Sequence, residues 1–252
     1  MAAASYLFRV LSEPTGVERQ SWEKWYCSEN IPSLVNAKAV ARAGLYEAFD
    51  DYPLTTKTPN VVSQTSLHDV TVTHTDIEPP TEKTFLAMCQ VEDPTLAKEQ
   101  HLQNIDQSTE SLGGKSPKTC AVWDSRVYKL IQDFDPKSIG HTPAPFILNV
   151  QMEPADDDDY NTFYRDEHLY MLSRVPGYRR SQRYQLVSSD NISLPAVPRF
   201  MAVHEFETLD HLDGPELREA DASPNTHRVI GNSKATSVRG FKLVKVFGDM
   251  SE

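Results

Sequence analysis

The clearest hydrophobic pattern in the chain lies between Tyr160 and Val175. Apolar and aromatic residues recur there at the i, i+3, i+4 and i+7 positions of one helix face, and two ionisable residues interrupt them in the middle. The positions of this stripe are Tyr160, Phe163, Tyr164, Glu167, His168, Met171, Leu172 and Val175. An ionisable group in a buried stripe is costly unless it is paired or faces a polar cavity. The pattern therefore predicts a helix with a polar site at its centre, although a histidine near a helix end beside a solvated glutamate would have the same spacing.

A second copy of this pattern lies near the start of the chain. At one ungapped offset the aligned pairs are Trp25 and Phe163, Tyr26 and Tyr164, Glu29 and Glu167, Asn30 and His168, Arg42 and Arg180, and Tyr46 and Tyr184. A single offset that holds over about 20 residues indicates an internal repeat. The remaining elements should then occur twice as well.

Apolar runs and turn signals predict the same order of elements in both halves of the chain. The predicted strands cover residues 6–11, 41–49, 84–91 and 121–131 in the first half, and 146–152, 180–187, 199–206 and 237–247 in the second. The predicted helices cover residues 22–37, 93–112, 156–175 and 209–220. Each half is thus predicted to be a βαββαβ unit, which is the ferredoxin-like arrangement.

Two segments separate or interrupt these units. Residues 135–145 contain three prolines and one glycine, so we predict a linker between a first repeat at 1–134 and a second at 146–252. Residues 50–83 are rich in Thr, Ser and Pro and predict a long loop that is a lid, an arm or disordered. Within that loop, the alternation over residues 69–75 would suit an edge hairpin.

Composition and charge narrow the range of partners. The net charge is −11 and no long basic run is present, which disfavours nucleic acid and anionic membranes as partners. Three widely spaced cysteines give neither a metal-binding pattern nor a disulfide framework. The first residues lack a signal-peptide pattern, and no apolar run reaches the roughly 20 residues that span a bilayer. We therefore expect a soluble cytoplasmic protein without a metal or other cofactor.

Several short motifs resemble the EthD-like branch of the dimeric α/β-barrel superfamily. In the second half these are Phe163-Tyr164, His168 and Pro176-Gly177, and in the first half Trp25-Tyr26 followed by Glu29-Asn30-Ile31-Pro32. The resemblance implies an α+β fold in which two four-stranded antiparallel sheets form one barrel with helices outside. One chain would here supply both sheets, as a pseudo-dimer, and two such chains could pair again as a homodimer.

The resemblance leaves the reaction open. Activities in that superfamily include aromatic polyketide cyclases, decarboxylases, lactone isomerases, cofactor-free monooxygenases and haem enzymes, so the fold does not choose among them. The sequence contains no G-x-S-x-G element, P-loop, dinucleotide fingerprint or H-E-x-x-H motif. Covalent and nucleotide-dependent chemistries are therefore disfavoured.

The candidate catalytic residues are polar groups in otherwise apolar elements. His168 can move protons near neutral pH, Tyr164 lies one turn before it, and His204 shares a strand face with apolar residues. The catalytic candidates are His168, Tyr164, His204 and Glu167, and the substrate-binding candidates are Arg180, Arg183, Tyr184, Phe163 and Tyr178. A lone histidine in an apolar strand is often a core residue, and an arginine at a strand edge is often a surface residue.

Three functions remain open at this point. The first is a cofactor-independent cyclase, decarboxylase or isomerase that uses His168 on an aromatic or polyketide-like molecule. The second is a non-catalytic small-molecule binding or stress-related barrel protein. The third is a haem or oxygen-using barrel enzyme. A haem enzyme would need an axial histidine on a helix, and His101, His211 and His227 lie in or near predicted helices. Because Asn30 cannot titrate whereas His168 can, we place any proton-transfer site in the second half.

Overall fold

Eight strands of this protein close into one antiparallel barrel within a single chain. The computed structural model describes residues 5–49, 66–67, 70–71, 84–140, 142–190 and 197–248. The strands are β1 Tyr6–Pro14, β2 Arg42–Ala48, β3 Ser66–Leu67, β4 Val70–Thr71, β5 Phe85–Val91, β6 Ala121–Phe134, β7 Phe146–Glu153, β8 Tyr178–Ser189, β9 Phe200–Phe206 and β10 Ala235–Gly248. The barrel order is β1-β5-β2-β10-β7-β9-β8-β6, and every neighbouring pair is antiparallel.

Each half of the chain contributes four consecutive strands to the barrel. The first half supplies β6-β1-β5-β2 and the second half supplies β10-β7-β9-β8. The pairs β2–β10 and β6–β8 join the two sets and close the barrel. A closed barrel leaves none of these eight strands with an unpaired edge.

Helices cover the outside of the barrel. The helix α1 runs through Arg19–Trp25, Tyr26–Asn30 and Ile31–Asn36, and α3 runs through Asp157–Phe163, Tyr164–His168 and Leu169–Leu172. The others are α2 Pro94–Asp106, α4 Pro215–Asp221 and α5 Pro224–Gly231. No helix in the described part of the chain has both the length and the apolar composition needed to cross a membrane.

Alternation along the strands separates two kinds of core. On β1, Phe8 and Val10 face the helices, whereas Leu7 and Leu11 face the barrel interior. The interior also holds charge, because Arg126 makes a bidentate pair with Asp124, with N–O distances of 2.7 and 2.8 Å. Buried pairs of this kind are tolerated when their hydrogen-bonding capacity is met. The candidate site described below lies on the other face of the sheet, under the helices.

The helix predictions need two corrections. The predicted helix over 93–112 begins as expected, with the Asp93 side chain accepting hydrogen bonds from the backbone N–H groups of Thr95 and Leu96, but it ends at Asp106. A short 3₁₀ turn, Glu110–Leu112, follows separately. The helix predicted over 209–220 is wrong: that region holds a turn and then α4, with α5 following.

Proline explains the second error. Pro215 and Pro224 each occupy the first position of a helix, where the missing proline N–H costs nothing and the fixed φ angle favours a start. The side chain of Ser223 caps the second of these helices by accepting a hydrogen bond from Asn225 N.

Most of the predicted loop at 50–83 lies outside the described residues. The described exception is the short antiparallel pair of β3 with β4. The edge hairpin predicted over 69–75 falls largely outside the described residues, as do the proposed roles of the loop as a lid or an arm.

Candidate functional site

A π-helical stretch occupies the centre of α3. It covers Tyr164–His168, and Leu169 N donates its hydrogen bond to Tyr164 O, five residues earlier. The same irregularity appears in α1 at Tyr26–Asn30, which are the residues that the sequence offset aligns with it. Single π-helical turns are rare and occur frequently at functional sites. In α3 this turn brings both Tyr164 and His168 towards the sheet.

An apolar cavity of about 50 Å³ lies between this helix and the outer face of β7, β9 and β10. The helices α4 and α5 cover its other side. Most of its lining is aliphatic or aromatic, and its polar members are Tyr164, His168, His204, Asp221 and Thr236. A small apolar space with a few polar groups is the usual character of a ligand pocket.

His168 lies in this cavity with a neutral imidazole ring. It is 6% exposed, and its ring stacks on Phe163 with ring centroids 4.7 Å apart. Burial lowers the pKa of His168 to about 4, although the nearby Glu167 opposes this effect. Its Nδ1 atom is buried and has no hydrogen-bond partner among the described residues. An unpaired buried nitrogen is costly in the free protein and is available to a ligand.

His204 is the second imidazole of the site. It lies on β9, with its ring parallel to that of Tyr164 at 6.4 Å, and its centroid is also 6.4 Å from that of His168. Its Nδ1 atom is 2.7 Å from Ser181 Oγ. Burial, with smaller contributions from the neighbouring His168 and Arg183, lowers the pKa of His204 to about 3. His204 is therefore also neutral at physiological pH.

A β-bulge in β8 places a second hydroxyl group, that of Tyr178, behind Ser181. Between Tyr178 and Ser181 the register of β8 against β9 shifts, so that both residues lie on the helix side of the sheet. The Tyr178 hydroxyl donates a hydrogen bond to Ser181 Oγ at 2.7 Å. Tyr178 thus supports His204 through Ser181 and does not itself line the cavity.

Asp221 completes the polar lining, and the sequence reasoning missed it. The side chain lies at the end of α4, is 1% exposed, and has an Oδ2 atom without a partner among the described residues. Burial raises the pKa of Asp221 from 3.8 to about 7. A carboxyl group on the same helix face as Leu217 and Ala220 was the available signal. The misplaced helix over 209–220 hid it, because that prediction ended one residue too early.

Glu167 does not join His168 in the cavity. Its carboxylate accepts hydrogen bonds from Ser223 Oγ and Asn225 Nδ2 at the start of α5, and the bond from Ser223 is the main reason that its pKa is lowered. Neighbouring helix residues diverge by about 100° in direction, which accounts for the separation. The position of Glu167 fits a link between α3 and α5 better than the catalytic role predicted for it.

The two candidate arginines of β8 lie on opposite faces of the sheet. Arg183 faces the helices, with its guanidinium 4.3 Å from the ring centre of Tyr164 and 4.7 Å from that of Tyr160. Arg180 faces the barrel interior, where it pairs with Glu205 at 2.8 Å. Successive strand residues point to opposite faces, so Arg183 shares the face of this cavity and Arg180 does not.

Tyr184 is likewise in the barrel interior. Its hydroxyl donates to Gln182 Oε1 at 2.9 Å, and its ring packs in the interior core with Leu7 and Ile147. The structure therefore brings Phe163, Tyr164, His168 and His204 together, with Tyr178 and Arg183 directly behind them. It places Arg180 and Tyr184 on the other face of the sheet, apart from that group, where both line a pocket in the barrel interior, and their role in substrate binding stays a prediction.

In the first half, aromatic side chains occupy the space between α1 and the sheet that is equivalent to the cavity. Tyr26 and Trp22 both bond to Ser12 Oγ, at 3.0 and 3.1 Å, and their rings pack with Trp25 and Trp123. Hydrogen bonds thus link the helix to the strand through aromatic hydroxyl and indole groups.

Asn30, the counterpart of His168, is satisfied by a neighbouring helix. It is 2% exposed, and Asn104 Nδ2 donates to Asn30 Oδ1 at 3.0 Å. We expect Asn30→Ala to lower the free energy of unfolding by about 1–3 kcal/mol, because this replacement removes the bond to Asn30 Oδ1 and leaves Asn104 Nδ2 only its longer bond of 3.3 Å to the backbone carbonyl of residue 30. Urea unfolding followed by tryptophan fluorescence would measure this loss. The exposed Asn36 gives the control, and equal losses from Asn36→Ala and Asn30→Ala would contradict the assignment.

Haem does not fit the residues around the cavity. His101 packs against Phe8 and Trp123 in the first half, whereas His211 and His227 are exposed. His168 is the helical histidine at the cavity, but its ring stacks on Phe163, and a cavity of about 50 Å³ is many times too small for a porphyrin. Among the described residues, no group of three histidine, cysteine or acidic side chains has the geometry of a metal site.

Comparisons with known proteins identify the fold. No family model and no curated protein matches this chain. Among solved structures, an anthrone oxidase-like protein superposes with a TM-score of 0.56 at 9% identity, covering 98% of this chain and 95% of the other. A candidate monooxygenase from Fusobacterium nucleatum gives 0.56 at 10% identity, with 97% and 95% covered. A candidate chlorite dismutase gives 0.55 at 14% identity, with 97% and 96% covered. The protein therefore shares its fold with these structures, and its closed eight-stranded antiparallel barrel is supplied by one chain.

Proposed function

We propose that this protein is a cofactor-independent enzyme that transfers protons on a small aromatic or polyketide-like carbonyl compound. His168 is the general base, and Asp221 is the proton donor. Cyclisation, decarboxylation and isomerisation of such compounds all pass through an enol or enolate, so this chemistry is common to the three reactions. The named relatives are similar in fold alone and do not select among them.

One observation carries the proposal: the cavity pushes the pKa values of its two proton carriers in opposite directions. Burial lowers the pKa of His168 to about 4 and raises that of Asp221 to about 7. Near pH 6 the imidazole is therefore unprotonated while the carboxyl group keeps its proton. Groups whose environments separate their pKa values in this way are the usual acid and base of an active site.

The geometry also supports a substrate of limited polarity. The cavity wall is mostly aliphatic and aromatic, and the Phe163 ring that stacks on His168 fixes the imidazole plane. The volume of about 50 Å³ holds only part of an aromatic ring, so binding requires α4 and α5 to move outwards or the reactive end alone to enter. Such movement of covering elements is common in enzymes of small molecules.

A tandem ferredoxin-like organisation of repeats at 1–134 and 146–252 is part of the same proposal. Each half contributes its strands in the order fourth, first, third, second, and each first helix carries a π-helical turn at the aligned position. Glu29 bonds to Thr109 and Ser111 in the first half, as Glu167 bonds to Ser223 and Asn225 in the second. These matching contacts support descent of both halves from one unit.

Hydrogen–deuterium exchange into a ketone tests the proposed reaction. With 2-tetralone as the probe, we expect the protein to accelerate solvent deuterium uptake at the activated carbon, measured by NMR. The rate should be highest between about pH 4 and pH 7. It should fall above pH 7, because Asp221 loses its proton, and below pH 4, because His168 gains one.

Two other results of this exchange experiment would each contradict the proposal. A rate that rises through pH 7 would make Asp221 the base and exclude His168 from that role. Saturable binding of 2-tetralone without faster exchange would instead support the non-catalytic binding protein.

A further inference from the structure

The polar chain behind His204 fixes which of its nitrogens carries the proton. The Tyr178 hydroxyl, Ser181 Oγ and His204 Nδ1 form two successive contacts of 2.7 Å. All three residues are buried, with exposures of 0%, 0% and 3%. Because no described residue other than Ser181 bonds to the Tyr178 hydroxyl, the direction of the whole chain depends on where its phenolic hydrogen points.

Only one donor-to-acceptor order along Tyr178, Ser181 and His204 gives both hydroxyl hydrogens an acceptor. If Tyr178 donates to Ser181, the single Ser181 hydrogen goes to His204 Nδ1, which must then be an unprotonated acceptor. In the reverse direction His204 would donate to Ser181 and Ser181 to Tyr178. The phenolic hydrogen would then be buried without an acceptor, which costs about 1–3 kcal/mol.

The protonation of His204 Nε2 follows from the direction of these hydrogen bonds. Neutral histidine carries one N–H, so an unprotonated Nδ1 places the hydrogen on Nε2. With Nδ1 engaged by Ser181, Nε2 is the ring nitrogen left for a ligand in the cavity that His204 lines.

We propose that His204 is a fixed hydrogen-bond donor to the substrate oxygen, and that Tyr178 and Ser181 are the positioning residues that hold it in this tautomer. This assignment rests on the proposed function and adds the substrate class to it, namely a compound whose carbonyl oxygen becomes an enolate. His168 removes the proton from the carbon next to the carbonyl. The C–H electron pair forms the carbon–carbon double bond, and the carbonyl π pair moves to the oxygen.

His204 Nε2–H then stabilises that oxygen without transferring its proton. A neutral imidazole donor is well suited to this role, because it keeps its hydrogen while the negative charge develops. The Asp221 carboxyl then gives a proton to the enolate carbon: the carbon–carbon π pair forms the new C–H bond, and an oxygen lone pair re-forms the carbonyl. The proton held by His168 goes to solvent or to the Asp221 carboxylate. The two histidines thus have different tasks, although both are buried and neutral.

Two-bond ¹H–¹⁵N correlation spectra of the histidine-labelled full chain test the tautomer without any turnover. The His204 signals are assigned by their loss in His204→Gln. We expect an unprotonated Nδ1 and a protonated Nε2 in the native protein. Ser181→Ala and Tyr178→Phe should each reduce the Nε2–H fraction, whereas Tyr128→Phe, which removes a buried hydroxyl inside the barrel, should leave it unchanged.

A native protein with His204 protonated at Nδ1 would overturn the proposal, and so would unchanged tautomers in both variants. Because Tyr178→Phe keeps the ring, it remains informative if Ser181→Ala fails to fold.

The role towards the substrate oxygen has its own test. 2-Naphthol has the ring system and oxygen position of the 2-tetralone enol. Adding it should shift the His204 Nε2 proton downfield in the native protein, and an unchanged resonance would overturn this role.

Ser181→Ala should slow deuterium exchange about tenfold or more with little change in KM, as expected for loss of a donor that acts mainly in the transition state. If His204 is protonated at Nε2 but the native protein does not accelerate deuterium exchange into 2-tetralone, the proposed reaction is refuted and the tautomer assignment stands.

Discussion

Replacing His168 with asparagine is expected to slow deuterium exchange into 2-tetralone by a hundredfold or more, the usual scale of general acid–base assistance. Asparagine can form hydrogen bonds but cannot take a proton at neutral pH. The chain itself shows that asparagine is accommodated at this point of a π-helical turn, because Asn30 occupies the aligned position of α1. We therefore expect the variant to fold.

The matched control is His227→Asn, the same replacement at an exposed position of α5. It should leave the exchange rate unchanged. Circular dichroism and thermal unfolding of both variants would separate loss of chemistry from loss of structure. Full activity in His168→Asn would remove the base assignment and shift it to Asp221.

Replacing Asp221 with asparagine should make the protein more stable and less active. In the unfolded chain this carboxyl group ionises near pH 4, whereas in the folded protein its pKa is raised to about 7. Between those values the unfolded state has lost its proton and the folded state has not, so stability falls as the pH rises through this window. The variant has no such loss. At pH 8 it should exceed the native protein by about 1–3 kcal/mol, below the ceiling of roughly 4 kcal/mol set by the full pKa difference.

The pH dependence identifies the cause of this gain. The difference between variant and native protein should be near zero at pH 4 and reach its full value above pH 7, as measured by urea unfolding across that range. Glu219→Gln, an exposed acid on the same helix, should change stability by less than about 1 kcal/mol at every pH. A stabilised but fully active Asp221→Asn would contradict the donor role. A variant no more stable than the native protein at pH 8 would contradict the buried, protonated carboxyl group.

The periodic elements were the predictable part of this fold. Strong alternation and apolar runs gave the eight barrel strands to within a few residues, and the helix with His168 was clear from its stripe. The alternation of the strand with His204 also put this histidine on the face of Phe200 and Phe206, which pack under the helices in the structure. These predictions worked because side-chain direction repeats regularly in such elements.

The place of Ser181 in the site depends on a local break in the strand alternation, which the sequence does not predict. The bulge between Tyr178 and Ser181 changes which residues of β8 face the helices, and nothing in the residue types announces it. The sequence therefore neither distinguishes Arg180 and Tyr184 from Arg183 nor singles out Ser181, because the direction of side chains after a bulge cannot be counted from its start.

Asp221 was missed for a different reason. The prediction joined a turn and a helix into one element and ended it at Ala220, although Pro215 and Pro224 mark two separate helix starts. Helix ends are set by capping and backbone contacts more than by periodicity. The cavity itself depends on how α4 and α5 pack over the sheet, and no pattern within one segment carries that information.

Closure of the barrel within one chain has a consequence for how the protein responds to dilution. Where two separate chains form such a barrel, the strand pairs that join them break by dissociation, and the intact barrel depends on protein concentration. Here β2–β10 and β6–β8 join parts of one polypeptide, so the association is intramolecular and has a fixed effective concentration. Specific activity should therefore stay constant from micromolar to picomolar protein, conditions under which a barrel of two chains would fall apart.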